Sequence, residues 1–225
     1  MIEVQKWMDA ALAGLREKFG GRLLYLGLQG SYRRGEATED SDIDLVCLLE
    51  QVTLDDLDAY RTVVRGLPEG EKACGFMGGK ADLAAWPRQE LFQFKMDTAD
   101  HYGQLETFLP PVSREDIIRG VRVGASTLLH IMTHSYLYAD PEARPAILKD
   151  GFKAAFFTVQ AATYLRTGAY YSRKQQLLEN LGGGSEKEII FASLNCPVWL
   201  AAHSEQEAFE LLLEWGRIML TWPFQ

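Results

Sequence analysis

Two aspartates separated by one isoleucine, Asp42-Ile43-Asp44, run straight into the apolar segment Leu45-Val46-Cys47-Leu48-Leu49. Side chains alternate along a strand with a period of two, so both carboxylates point to the same face at a strand edge. Like charges placed together repel, and the pairing needs a reason. A divalent cation is the strongest one, because Mg²⁺ takes oxygen ligands, commonly one or two carboxylates together with the phosphates of its substrate. Upstream, Gly30-Ser31 closes a second apolar run, Leu23-Leu24-Tyr25-Leu26-Gly27-Leu28, and opens a short helix. Small residues let backbone approach a ligand, and the exposed N–H groups of a helix start favour phosphate oxygens. Together these features suit transfer at a phosphate. Such transfer needs the phosphate charge neutralised, a nucleophile in line and a stabilised leaving group, and two metal ions about 3.5–4 Å apart can serve both attacking and leaving oxygens.

The surrounding pattern must hold these residues in place. Val4, Trp7, Met8, Ala11, Leu12, Leu15 and Phe19 have helical spacing, and Gly20-Gly21 stops that helix. Strands follow at Leu23 to Leu28 and Asp42 to Leu49, with the phosphate-loop candidate between them. Thr53 caps a helix to about Arg65 with Asp56 three residues on, and a third strand is expected from Lys72 to Met77, broken by Gly78-Gly79. A short helix near Pro87 to Phe94 precedes a polar stretch, Asp97 to Gly103, that reads as a loop. After Pro110-Pro111 the character changes to long helical periodicity, with helices from Ser113 to Tyr138, Arg144 to Arg166, Arg173 to Leu181, from Ser185, and from Ser204 to Leu220. The organisation expected is an α+β domain over residues 1–110 and an all-α helical bundle over 111–225.

Gly30-Ser31, then Arg34-Gly35-Glu36-Ala37-Thr38, then Ser41-Asp42-Ile43-Asp44-Leu45 stand in an order and spacing that resembles the polymerase-β-type nucleotidyltransferase superfamily, nearest to its small bacterial, aminoglycoside-nucleotidyltransferase-like members. The motif covers about sixteen residues, and the strand–helix–strand pattern extends the likeness over the first half. The bundle resembles, more loosely, the C-terminal helical domain of the same proteins through Lys153 to Tyr171 and Lys174 to Leu178. The resemblance implies a mixed sheet with flanking helices, and an Mg²⁺-dependent enzyme using two ions. That enzyme would move a nucleoside monophosphate from a nucleoside triphosphate, ATP foremost, to a hydroxyl of a small molecule or a protein, with release of pyrophosphate. Asp42 and Asp44 would be catalytic metal ligands. In that family a third carboxylate comes from a later neighbouring strand, and Asp82 is the best-placed candidate, with Glu71 and Asp97 behind it. Ser31 would donate its hydroxyl to a β- or γ-phosphate, with Gly30 adding backbone donors and Arg34, or less readily Arg33, positive charge. Lys153, on a face otherwise made of Phe152, Ala155, Phe156 and Val159, would reach phosphate from the bundle or extend into solvent. The nucleotide is then expected between the two halves. The alternative is a non-catalytic nucleotide- or partner-binding module that keeps the fold, and an incomplete carboxylate triad would favour it.

Composition narrows the classes. At 225 residues, 47% hydrophobic and 24% charged, the chain is that of an ordinary globular protein. Lys+Arg 23 against Asp+Glu 31 gives a net charge of -8, which argues against capture of nucleic acid by counterion release and suits a cationic acceptor. Cys47, Cys74 and Cys196 are odd in number and lack CxxC spacing, the usage of reduced thiols. No signal peptide is read at Met1-Ile2-Glu3-Val4, and no apolar stretch approaches the about 18 residues of a membrane span, so a cytoplasmic location is expected. His130 and His134 lie four apart on one helical face, but without a third ligand they read as packing or capping residues.

Overall fold

A computed structural model describes residues 2–224. The chain divides into two compact units, Met1–Pro111 and Val112–Gln225. In the first, α1 (Val4–Phe19) buries Trp7, Met8, Ala11, Leu15 and Phe19, the stripe that its spacing dictates. There follow β1 (Leu23–Leu28), α2 (Gly30–Arg34), β2 (Ile43–Leu49), α3 (Leu54–Arg65) and β3 (Ala73–Gly79). The unit continues with α4 (Lys80–Ala84), α5 (Arg88–Met96) and β4 (Ala99–Tyr102). The sheet order is β3-β2-β1-β4. β1 is antiparallel to β2 and β4, whereas β2 and β3 are parallel. Helix α3 makes the crossover that a parallel pair requires, and it opens on the Thr53–Asp56 capping box.

Alternation along β2 decides where chemistry can sit. Ile43, Leu45, Cys47 and Leu49 are fully buried and pack with the buried stripe of α1. Burial alone pushes the Cys47 thiol up to about 12, which keeps it protonated and inert. Asp44 therefore belongs to the opposite face of the sheet, because a one-residue step along a strand changes face. Two expectations are corrected here. Gly78 and Gly79 do not break β3; both remain paired, with Leu48 and Leu49. The polar Asp97–Gly103 stretch is not all loop, because Ala99–Tyr102 forms an edge strand against β1.

The second unit is helical: α6 (Arg114–Tyr138), α7 (Arg144–Thr167), α8 (Lys174–Asn180), α9 (Ser185–Leu194), α10 (Cys196–Ala202) and α11 (Glu205–Thr221). Phe152, Phe156 and Val159 of α7, Phe209 and Trp215 of α11 and Ile189 and Ile190 of α9 form its core. Full burial of side chains this size contributes roughly 1.5–3 kcal/mol each. Ser113–Asp116 and Ser204–Glu207 capping boxes open α6 and α11. Among the described residues no helix is long and apolar enough to cross a membrane.

Candidate active site

The turn from β1 into α2 brings Gly30 against Asp44. Gly30 has φ +68, a left-handed conformation open chiefly to glycine. A β-carbon there would collide with Asp44 Oδ2 and come within 2.7 Å of its Cγ. The ladder is continuous at this point, since Gln29 N–H donates to the Asp44 carbonyl at 2.8 Å. The Gln29 side chain anchors the turn from behind, donating to Thr98 Oγ1 at 2.6 Å and to the Phe94 carbonyl at 3.2 Å. Ser31, half-buried, stands in the first turn of α2, which Gly35 ends in the left-handed region at φ +69. Gly30 and Asp44 are thus brought together, with Ser31 next along the chain. Asp42 is exposed one residue ahead of β2.

The loop carrying Asp42 is tied down locally. Ser41 Oγ accepts from the Thr38 N–H at 2.8 Å, and the Ser41 N–H donates to the Thr38 carbonyl at 3.2 Å. Lys72 donates from its ammonium to the Glu39 carbonyl at 2.7 Å. Sequence reasoning passed over Lys72 and Gln29, because positioning residues of this kind carry no motif; only the strand pairing exposes them.

Arg34 departs from its expected role. It is buried, its Nε donates to Glu36 Oε2 at 3.0 Å, and an outer nitrogen lies 3.9 Å from Asp97 Oδ2. A guanidinium enclosed between two carboxylates is spent on holding α2 in place. Asp97, one of the substitute carboxylates, is buried in the same arrangement and accepts from Gln93 Nε2 at 2.7 Å.

Asp82 as third ligand is corrected by strand direction. In the parallel register Asp44 stands beside Cys74, and Leu49 beside Gly79. Five residue steps at about 3.3 Å each carry β3 roughly 16 Å away from Asp44 before α4 begins. Asp82 lies beyond that end, where its Oδ2 accepts the Gly79 N–H at 3.1 Å and caps α4. The residues delivered to the Asp44 end of β3 are instead exposed Cys74 and, in the turn ahead of it, exposed Glu71. Among the described residues no three His, Cys, Asp or Glu side chains are grouped as a metal site.

The family described as nucleotidyltransferase domain matches residues 9–92, from within α1 into α5. That segment is similar to nucleotidyltransferase domains. A 50-residue stretch of the chain, 22% of its length, is 44% identical to the protein adenylyltransferase MntA of Thermococcus cleftensis and spans 48% of that protein, about half its length. A crystal structure of the spectinomycin adenyltransferase AAD(9) from Enterococcus faecialis, with ATP and spectinomycin, shares the fold at a TM-score of 0.54 and 13% identity, covering 96% of this chain and 98% of that one. These matches bear out the resemblance carried by Gly30 to Leu45 and the fold class of a mixed-sheet nucleotidyltransferase domain followed by a helical region.

Outside the nucleotidyltransferase domain, Lys153 is exposed on α7 amid buried Phe152, Ala155 and Phe156. Lys174 donates to the Ser193 carbonyl at 2.9 Å, with its ammonium 5.5 Å from the centre of the Phe156 ring, a structural placement. His130 and His134 are both exposed, not packed in the core, with ring centres 6.2 Å apart.

Proposed function

We propose that the protein is a metal-dependent nucleotidyltransferase that moves AMP from ATP to a hydroxyl acceptor, a small molecule or a protein side chain, and releases pyrophosphate. The packing of Asp44 on Gly30 carries this reading, because it joins the phosphate-loop candidate and the Asp-x-Asp strand in one place. ATP as donor is supported by the activities in the names of the two adenylyl-transferring relatives. Residues 1–110 would carry the transfer, and the location would be cytoplasmic.

The chemistry of the donor set fits a hard cation. Asp42 and Asp44 offer only oxygen, from one exposed and one half-buried side chain, and Mg²⁺ is commonly held by one or two carboxylates plus substrate phosphates. When bound, one or two such ions neutralise the phosphate and the departing pyrophosphate. Ser31 and the Gly30 and Ser31 backbone would hold the β- and γ-phosphate oxygens, and Asp42 and Asp44 would hold the cation that offsets the charge of the phosphates. The acceptor oxygen attacks the α-phosphorus and releases its proton to solvent, and the bond from the α-phosphorus to the bridging oxygen breaks with its electron pair leaving on pyrophosphate. Incubation with Mg²⁺, each labelled nucleoside triphosphate and a panel of acceptors tests the reading; labelled product from ATP supports it, and none with any donor removes it.

A second reading, a nucleotide- or partner-binding module without catalysis, draws support from the placement of Asp82 at the far end of β3. It predicts saturable binding of ATP with no pyrophosphate release.

A further inference from the structure

We propose that the helical unit carries a binding site for an organic ammonium ion with an apolar body, in a cavity of about 430 Å³ formed by α8, α9 and α10. The cavity lies wholly within the second unit, and its size falls in the range of small-molecule sites. Its walls are mostly apolar: Leu178, Phe191 and Trp199 line it together with Glu188 and His203. Phe191 is 41% exposed, a large ring left in water beside an open cavity.

The polar end of the cavity specifies the ligand's charge. The His203 ring stacks on Trp199 at 4.0 Å with 9° between the planes. Its Nδ1 lies 3.0 Å from the Trp199 carbonyl oxygen. A carbonyl only accepts, so Nδ1 carries a proton and donates it there, which holds the ring in place. Glu188 Oε1 is 3.9 Å from Nε2 of the same ring. The Glu188 carboxylate lines the cavity and meets its nearest partner among the described residues only at that distance, so it calls for a donor of opposite charge, and an ammonium group supplies several N–H bonds and the matching charge. Lys187, the cation that also lines the cavity, directs its own ammonium at the Leu181 carbonyl at 3.2 Å. The exposed ring of Phe191 adds attraction for a cation, and Leu178 and the edge of buried Trp199 add shelter for its apolar body.

The test uses the full chain and benzylammonium, with benzyl alcohol as the uncharged control of similar shape. The Trp199 indole N–H resonance, identified by its loss in Trp199→Phe, reports occupancy. Benzylammonium is expected to shift that resonance saturably and to bind about tenfold or more tightly than benzyl alcohol, as for loss of a charge-assisted hydrogen bond. Glu188→Gln should weaken benzylammonium by about the same factor, while Glu188→Asp keeps part of the affinity. Equal binding of the two probes, full affinity in Glu188→Gln, or no saturable shift would each overturn the proposal. The last outcome would leave Glu188 and His203 as a surface pair with no ligand role.

Discussion

Asp44 fills the space in which any side chain at position 30 would have to stand. The two residues are separated by a turn, a short helix and a loop, yet Gly30 is left-handed and the Asp44 carboxyl group rests against it. The turn geometry of one motif half therefore fixes the carboxylate of the other.

Gly30→Ala should damage both stability and transfer. A left-handed backbone costs an L-residue roughly 1–2 kcal/mol, before the collision with Asp44 is counted. Displacing a carboxylate by about 1 Å can cost on the order of a hundredfold in rate. Denaturant unfolding and ATP-dependent labelling of acceptor measure the two effects, and normal transfer in this variant would separate Gly30 from the chemistry.

Asp42→Asn and Asp44→Asn should each reduce transfer to background and leave the fold intact. Without a cation, the removal of one of two neighbouring negative charges leaves thermal stability unchanged or slightly raised. Far-UV circular dichroism, melting curves and product formation with Mg²⁺ check this. Near-full transfer by either variant would dismiss the metal-ligand role.

Ser31→Ala should weaken triphosphate binding and transfer together by about 1.5–3 kcal/mol, the scale of a hydrogen bond to a charged group. Calorimetric titration with ATP reads the binding half. An unchanged affinity would move the phosphates away from α2.

Asp82 is predicted to behave as a helix cap. Asp82→Ala should cost about 0.5–2 kcal/mol of stability, and Asp82→Asn less, because an amide oxygen can still accept the Gly79 N–H. Transfer by folded protein should stay within a few-fold of the parent. Loss of activity in Asp82→Asn with stability preserved would return this carboxylate to the metal.

The Arg22–Asp56 pair gives a pH dependence of known sign. The Arg22 guanidinium, bonded to both Asp56 oxygens, and the Thr53 cap hold that carboxyl well below the usual carboxylate range. Its contribution to stability is complete above the unfolded value near pH 4 and is lost as the pH falls toward the folded one. Arg22→Ala should therefore be less stable than the parent at pH 7, and the gap should narrow below about pH 4. Urea unfolding at a series of pH values checks it; a gap that widens in acid would contradict the assignment.

Much of this was legible in the sequence where local chemistry decides the structure. Thr53 with Asp56, Ser113 with Asp116 and Ser204 with Glu207 announce three helix starts, and all three boxes form. The Gly30 to Leu45 motif gave the domain. What escaped was governed by pairing between distant segments. Ala99–Tyr102 is short, polar and at a sheet edge, so it carries no buried alternation to mark it as a strand. The error over Asp82 was avoidable, because a helix between β2 and β3 already implies parallel strands, and parallel strands place the end of one far from the start of the other. The burial of Arg34 between Glu36 and Asp97 had no local signal, since its second partner comes from the end of α5.

The β3-β2-β1-β4 order also constrains how the chain can be made. β1 is among the first elements to leave the ribosome, yet β4, which covers its outer edge, ends only at Tyr102. At about 5–20 residues per second, β1 waits several seconds with one edge uncovered after its own synthesis. An uncovered edge is an invitation to foreign strands. Slow codons between Leu28 and Ala99 should lengthen that exposure and lower the yield of soluble protein, whereas the same codons placed after Pro111 should not.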